Sequence, residues 1–201
     1  MRYNLIKLPN PILREKAKPC VIDDAFRVRL GELEEFMWQI PRHLGTLAGL
    51  AAPQVGISER FFYMLDKWYM NPEITWTPSA PLKNFHEGCY SLEPGRFNYP
   101  TERHYSVRVK YQDIHGEWQE ERLKGFEAQV FQHELDHLNG ILCCDYQHEV
   151  TQDDVNQLRA DAHMMATMTQ PIQATGGHGG SQNPSGEGGS GIQVSLGDII
   201  K

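Results

Sequence analysis

From Asp24 onward apolar residues recur three or four positions apart, at Phe26, Leu30, Leu33, Met37 and Ile40. That period lines one face of a helix, predicted from Asp24 to about Gln39, where Pro41 disturbs it. The preceding PNPILREKAKPC is rich in proline and reads as extended. LAGLAAPQVG is a run of small residues closed by Pro53 and Gly56, which suits a loop where backbones approach closely. FFYMLD and EITWT then read as strands, and SVRVKYQD and GEWQEERL as an antiparallel hairpin turned at His115 and Gly116. FEAQVFQHELDHLN returns to helical period, with Phe126, Val130 and His133 on one face and Gly140 placed to end it. A further helix is expected after Thr151, whose hydroxyl can cap it together with Asp154. Strands grouped after a helix, rather than alternating with helices, predict an α+β fold.

Composition sharpens this. At 201 residues, with 40% apolar and 22% charged, the chain can bury a core without disulfides or metals to staple it. No apolar run is long enough to cross a bilayer, and the N-terminus has no signal-peptide pattern, so the expected address is cytoplasmic, away from membranes. Cys20, Cys89, Cys143 and Cys144 are expected to be reduced, since an adjacent pair is a poor start for a disulfide framework. A net charge of -7 argues against broad attraction to nucleic acid, and no DNA partner is expected. Beyond Gln170 the composition becomes GGHGGSQNPSGEGGSG, with little to bury and much chain entropy to lose. The expected organisation is one folded domain over 1–169 and a Gly/Ser-rich flexible tail over 170–201.

The chemistry concentrates in QHELDHLNG, residues 132–140. His133 and His137 are four apart and face the same way on a helix, so both imidazoles can reach one ion. Glu134 points to a neighbouring direction, where it can hold water and take its proton. Two exposed histidines on a solvated helix would be the bland alternative. A buried face makes that costly, because imidazoles and a carboxylate without partners lose their solvation. The third ligand is open at this point. The protease pattern HExxHxxGxxH is matched as far as Gly140, but Cys143 stands where it needs histidine; Glu149 or Asp153 could supply a carboxylate. Upstream, HEGCYSLEPG offers Cys89, whose thiolate would suit zinc, ferrous iron and similar ions.

Taken in order, GLAAPQVG, EGCYS and QHELDHLNG resemble the peptide deformylase family, whose signatures are approximately GxGLAAPQ, EGCLS and QHExDHLxG. The likeness extends from about Leu5 to Tyr146. It implies antiparallel sheets packed around a central metal-binding helix, and removal of the N-formyl group from newly made polypeptides that begin with formyl-methionine. It implies Cys89, His133 and His137 as ligands of one divalent ion, with Fe2+ the native choice and Zn2+, Ni2+ or Co2+ compatible. Glu134 would be the acid/base; the Gln54 amide and the Tyr90 backbone N–H would face the formyl oxygen. Gly49, Ala48, Val130 and Arg96 would contact substrate, with Glu87 and Asp136 orienting ligands or bracing the loop. N-formylmethionyl nascent chains are the implied partners, with a transient ribosome contact left open. Leu47 replaces the first glycine of the first signature, Tyr90 the leucine of the second, and Gln129 stands where an apolar residue would suit a methionine pocket. These departures bear on specificity. Two other readings stand beside this one: a non-catalytic relative that binds peptides in the same cleft, and another HExxH metalloprotease.

Overall fold

The computed structural model describes residues 3–40, 47–92 and 99–146. Helix α1 spans Asp24–Trp38 and starts where the Asp23 side chain accepts a hydrogen bond from Phe26 N at 2.8 Å. Such a cap satisfies one of the donors that a helix start leaves without a partner. Its buried residues are Phe26, Leu30, Leu33 and Met37, the stripe read from the sequence.

Among the described residues seven strands follow: β1 (Gly49–Ala51), β2 (Phe61–Met64), β3 (Lys67–Trp76), β4 (Lys83–Glu87), β5 (Tyr99–Arg103), β6 (Ser106–Gln112) and β7 (Trp118–Lys124). They pair antiparallel in a five-stranded sheet of order β1-β2-β3-β6-β7 and a separate β4-β5 pair. Helix α2 (Phe126–Leu138) comes after β7. Successive side chains of a strand point to opposite faces, and β2 uses this to build two cores. Phe61 meets Phe26 of α1 edge-on, with ring centroids 5.1 Å apart. Phe62 meets Phe131 of α2 edge-on at 5.2 Å, and Tyr69 of β3 approaches the same ring at 5.4 Å. The sheet therefore lies between α1 and α2, as an α+β fold built around the HExxH helix requires.

Three stretches depart from the sequence expectation. LAGLAAPQVG is not all loop: Gly49, Leu50 and Ala51 pair with Met64, Tyr63 and Phe62, and a 3-10 turn, Ala52–Val55, follows at once. The strand expected over EITWT begins earlier, at Lys67, because Leu65 and Asp66 take left-handed conformations (φ 46° and 63°) and close a two-residue hairpin from β2 to β3. Asn-Gly is the usual signal for such a turn, and it is absent here. Within PNPILREK, Pro11–Arg14 forms a 3-10 turn, entered where Asn10 accepts from Ile12 N at 3.1 Å. The expected helix after Thr151, Arg96 and the whole of 170–201 lie outside the described residues. Among the described residues no helix is long and apolar enough to cross a membrane.

Phe131 is fully buried among aromatic rings from two strands. Phe131→Ala is expected to lower unfolding stability by about 3–5 kcal/mol, read from the urea midpoint at unchanged slope.

Candidate metal centre

Helix α2 is buried nearly all round, including Gln129, Gln132, His133, Glu134 and His137. Polar groups taken out of water need partners, and Gln129, Gln132 and His133 have distinct ones. Gln132 Nε2 donates to the carbonyls of His104 and Ala128, both at 2.8 Å, and its Oε1 accepts from His104 N at 3.0 Å. Gln129 Nε2 donates to the His86 carbonyl at 3.3 Å, so this amide fastens the helix to β4. His133 and His137 stack edge-on with centroids 5.0 Å apart. His133 Nδ1 lies 2.8 Å from Glu87 Oε2, which leaves Nε2 for the site.

Cys89 comes two residues after β4 ends, in a loop and not on a strand, and brings Sγ to 3.3 Å from His137 Nε2. The donor atoms of Cys89, His133 and His137 all lie within 4.8 Å of one another. Bonds of about 2.3 Å to sulfur and about 2.0–2.1 Å to nitrogen at a tetrahedral angle separate such donors by roughly 3.5 Å, so the three fit one cation. Glu87, His133 and Cys143 form a second such group among the described residues. There, however, Glu87 already accepts from Arg103 Nε and Nη2, both at 2.9 Å, and its charge is committed.

The charges reinforce this assignment. Burial opposes ionisation of Glu87, yet the hydrogen bonds from His133 and Arg103 outweigh it and hold the carboxyl down to about 2. Cys89 is held well below the ordinary thiol range, first by a hydrogen bond from Cys143 and then by His137 and His133 against the cost of burial. A thiolate beside two imidazoles is a donor set for a borderline-soft divalent ion. Glu134 is the opposite case: burial pushes it up to about 7, although the two imidazoles favour its ionised form. Its Oε2 is buried and has no hydrogen-bond partner among the described residues.

Gly49 explains where that carboxylate sits. A Cβ built on Gly49 would lie 2.3 Å from Glu134 Oε1, so the absence of a side chain on β1 makes the space the carboxylate fills. Gln54 projects from the turn after β1; its Oε1 accepts from Ala51 N at 2.9 Å, while Nε2 lies 3.6 Å from Cys89 Sγ and 3.3 Å from Ser91 Oγ. The amide is thereby aimed with its N–H side toward the Cys89 sulfur. Tyr90 follows Cys89, and its partly buried ring packs on the α1 side of the sheet. Ala48 and Val130 pack in the same core cluster on the α2 side.

The sequence pattern that defines the polypeptide deformylase family matches residues 2–153. The chain belongs to that family. A peptide deformylase from Thermotoga neapolitana is 41% identical over 148 residues, 71% of this chain and 85% of that protein. The crystal structure of the Thermotoga maritima peptide deformylase, 38% identical, superposes with a TM-score of 0.64 over 73% of this chain and 98% of that one. A Met-Ala-Ser-bound class I type b peptide deformylase from Acinetobacter baumannii, 30% identical, superposes at 0.62 over 72% of this chain and 97% of that one. Deformylases of this family are metal-dependent hydrolases that remove the N-formyl group from formyl-methionine peptides, and the chain is a hydrolase of that kind.

In this deformylase the structure brings together Cys89, His133, His137, Glu134, Gln54 and Gly49, with Tyr90 next in the chain. Arg96 falls outside the described residues. Glu87 and Asp136, read as braces, are tied to one another by a residue that carries no sequence signal: Arg103. Besides gripping Glu87, its Nη1 donates to Asp136 and to the Tyr146 hydroxyl, which itself donates to Asp136 at 2.7 Å. Ser91, the partner of Gln54, is the last residue of EGCYS, but the sequence reading gives it no role.

Arg103→Met would leave Glu87 buried, and Asp136 half-buried, without their cation, and an expected loss of about 3–5 kcal/mol should appear as a lowered denaturant midpoint. Gly49→Ala should displace the Glu134 carboxylate and lower kcat for deformylation by about 10²-fold with bound metal unchanged, as measured by formate release alongside elemental analysis.

Proposed function

We propose that Cys89, His133 and His137 hold one divalent ion in this deformylase and that Glu134 is its proton-transfer residue. One observation carries the reading: a buried carboxylate oxygen without a hydrogen-bond partner stands beside three convergent donor atoms. When bound, the ion would supply a Lewis acid that makes water a competent nucleophile near neutral pH. Ferrous iron is the native ion of this proposal; the same thiolate and two imidazoles suit zinc, nickel or cobalt.

Glu134, lifted to about 7 by burial, can take a proton from water and return it to the departing amine. Gln54 Nε2 and the Tyr90 N–H are assigned to the formyl oxygen as it gains charge, a task in which one aimed donor contributes about 10²- to 10³-fold. Gln54 is held for it by Ala51 N and by the rigid Pro53 before it. β1 is an edge strand of its sheet, so an extended peptide can add beside Gly49 by strand pairing. The first side chain would then enter between Ala48 and Val130. The Met-Ala-Ser bound by the Acinetobacter enzyme is a peptide of the kind expected here as product. Arg96 remains assigned to the peptide beyond the first residue, within a catalytic domain over 1–169. The substrates are nascent formylated chains, met in the cytoplasm through a transient ribosome contact.

Anaerobically prepared protein should release formate from a formyl-Met peptide and carry one equivalent of metal. Glu134→Gln is expected to lower kcat by about 10²- to 10⁴-fold with the metal retained, whereas Cys89→Ala should lose the metal itself. Full turnover in the first variant, or unchanged metal content in the second, would refute these assignments.

A further inference from the structure

The sheet face turned away from α2 is covered by α1 over β1, β2 and the start of β3, where Leu50, Phe61, Trp68 and Met70 pack with it. Farther along the same face, over the end of β3, β6 and β7, the side chains are of another kind. Val107, Val109 and Tyr111 of β6 turn into the core on the α2 side, so Arg108 and Lys110 turn outward. Strand pairing sets Arg122 directly opposite Arg108, with Lys124 at the next outward position of β7. A register shift in β3 brings a ring to the same side: Ile74 pairs with Val109 and faces the core, whereas Trp76, two residues on, pairs with Arg108. This irregularity re-aims a tryptophan that simple alternation would turn inward.

Trp76 is 41% exposed and Trp118 of β7 is 52% exposed. The guanidinium carbons of Arg108 and Arg122 lie 5.5 and 5.6 Å from the Trp76 ring centre, and Lys110 Nζ lies 4.7 Å from that of Trp118, so cations hold both rings in place. Among the described residues none of Arg108, Lys110, Arg122 and Lys124 forms an ion pair with a carboxylate. Glu73 and Glu120 are the strand partners of Lys110, which confines the unbalanced charge to the end where Arg108, Arg122 and Lys124 stand. Like charges directly opposite on neighbouring strands are destabilising, and an anion between them would relieve that cost. Charge on the edge strand β7 also keeps other sheets away. That task needs no tryptophan turned out between two arginines.

We propose that this face binds single-stranded RNA, with phosphates against Arg108, Arg122 and Lys124, one base stacked at Trp76 and Trp118 offering a second ring. Guanidiniums suit phosphate oxygens, and an exposed ring or a guanidinium plane suits an unpaired base. A lipid surface would need a free apolar stripe to insert, and here each ring carries a cation beside it. The net charge of -7 makes such binding local and sensitive to salt. The choice of RNA over other polyanions rests on the proposed substrates, chains still being made on an RNA template. β7 and β1 are opposite edges of the five-stranded sheet, so RNA held at one leaves the peptide edge at the other open.

The test uses full-length, metal-loaded protein and a labelled, unstructured RNA of about 12 nucleotides, followed by fluorescence anisotropy from about 50 mM salt upward. Trp76→Ala should weaken binding about 10- to 100-fold at an unchanged salt slope, and Trp76→Phe should keep most of the affinity. Replacing Arg108 and Arg122 together by glutamine should lower the slope of log affinity against log salt by about 0.7 for each arginine. All these variants should release formate from a free formyl-Met peptide as the parent does. No binding at the lowest salt, equal affinity in Trp76→Ala, or inorganic polyphosphate of the same charge bound as tightly as RNA overturns the proposal. So does binding of phosphatidylglycerol vesicles through Trp76 by a protein that leaves RNA free. Should Trp76→Ala fail to fold, the arginine pair decides, and an unchanged salt slope overturns the proposal. A parent protein that binds RNA in this way but releases no formate would instead sink the assigned reaction and leave the RNA face standing.

Discussion

A single buried chain of charge, from Arg103 through Glu87 to His133, fixes the geometry on which the rest of this molecule depends. Both members of the Arg103–Glu87 pair have side chains only 3% exposed, so each would be costly to bury alone. Together they make two parallel hydrogen bonds, an arrangement with little freedom to rotate. Glu87 then has one direction in which to accept from His133, and the imidazole has one tautomer to present. What the pair contributes is aim, since well-packed apolar residues could often match such a pair in stability.

That constraint explains why the small β4-β5 pair exists. Glu87 ends β4 and Arg103 ends β5, and both point inward with Phe85 and Thr101, an inversion of the usual rule that apolar residues face in. The turn that carries Cys143 and Tyr146 packs against the same unit, through Asp136 and Arg103. The large sheet supplies rigidity and the small one supplies orientation. The HExxH helix lies where both can act on it.

Legibility in the sequence follows the range of each interaction. His133, Glu134 and His137 are legible because a helical turn is local and four-residue spacing determines a shared face. Cys89, Gln54 and Gly49 become legible only when three separated stretches are read in order, since nothing in EGCYS alone distinguishes a ligand from a buried thiol. Arg103 is not legible at all: its partners lie 16 and 33 residues away, and no periodicity encodes such a meeting. The β2-β3 turn fails for a different reason. Leu65 and Asp66 adopt left-handed conformations that their side chains do not favour, and the sheet on either side imposes them. Gly49 shows a subtler shift, from a residue expected to let substrate pass to one that also makes room for a carboxylate.

Gly49 and Gln54 belong to one unbroken run, a three-residue edge strand followed directly by a 3-10 turn. The backbone that would grip a peptide and the amide that would greet its carbonyl are thus mechanically one part, like the jaw and stop of a ruler. Side chains around the cleft can be exchanged to favour other first residues without disturbing it. Lengthening that run by a single residue would disturb it, because a strand reverses its faces at every step and the stop would swing away from the jaw.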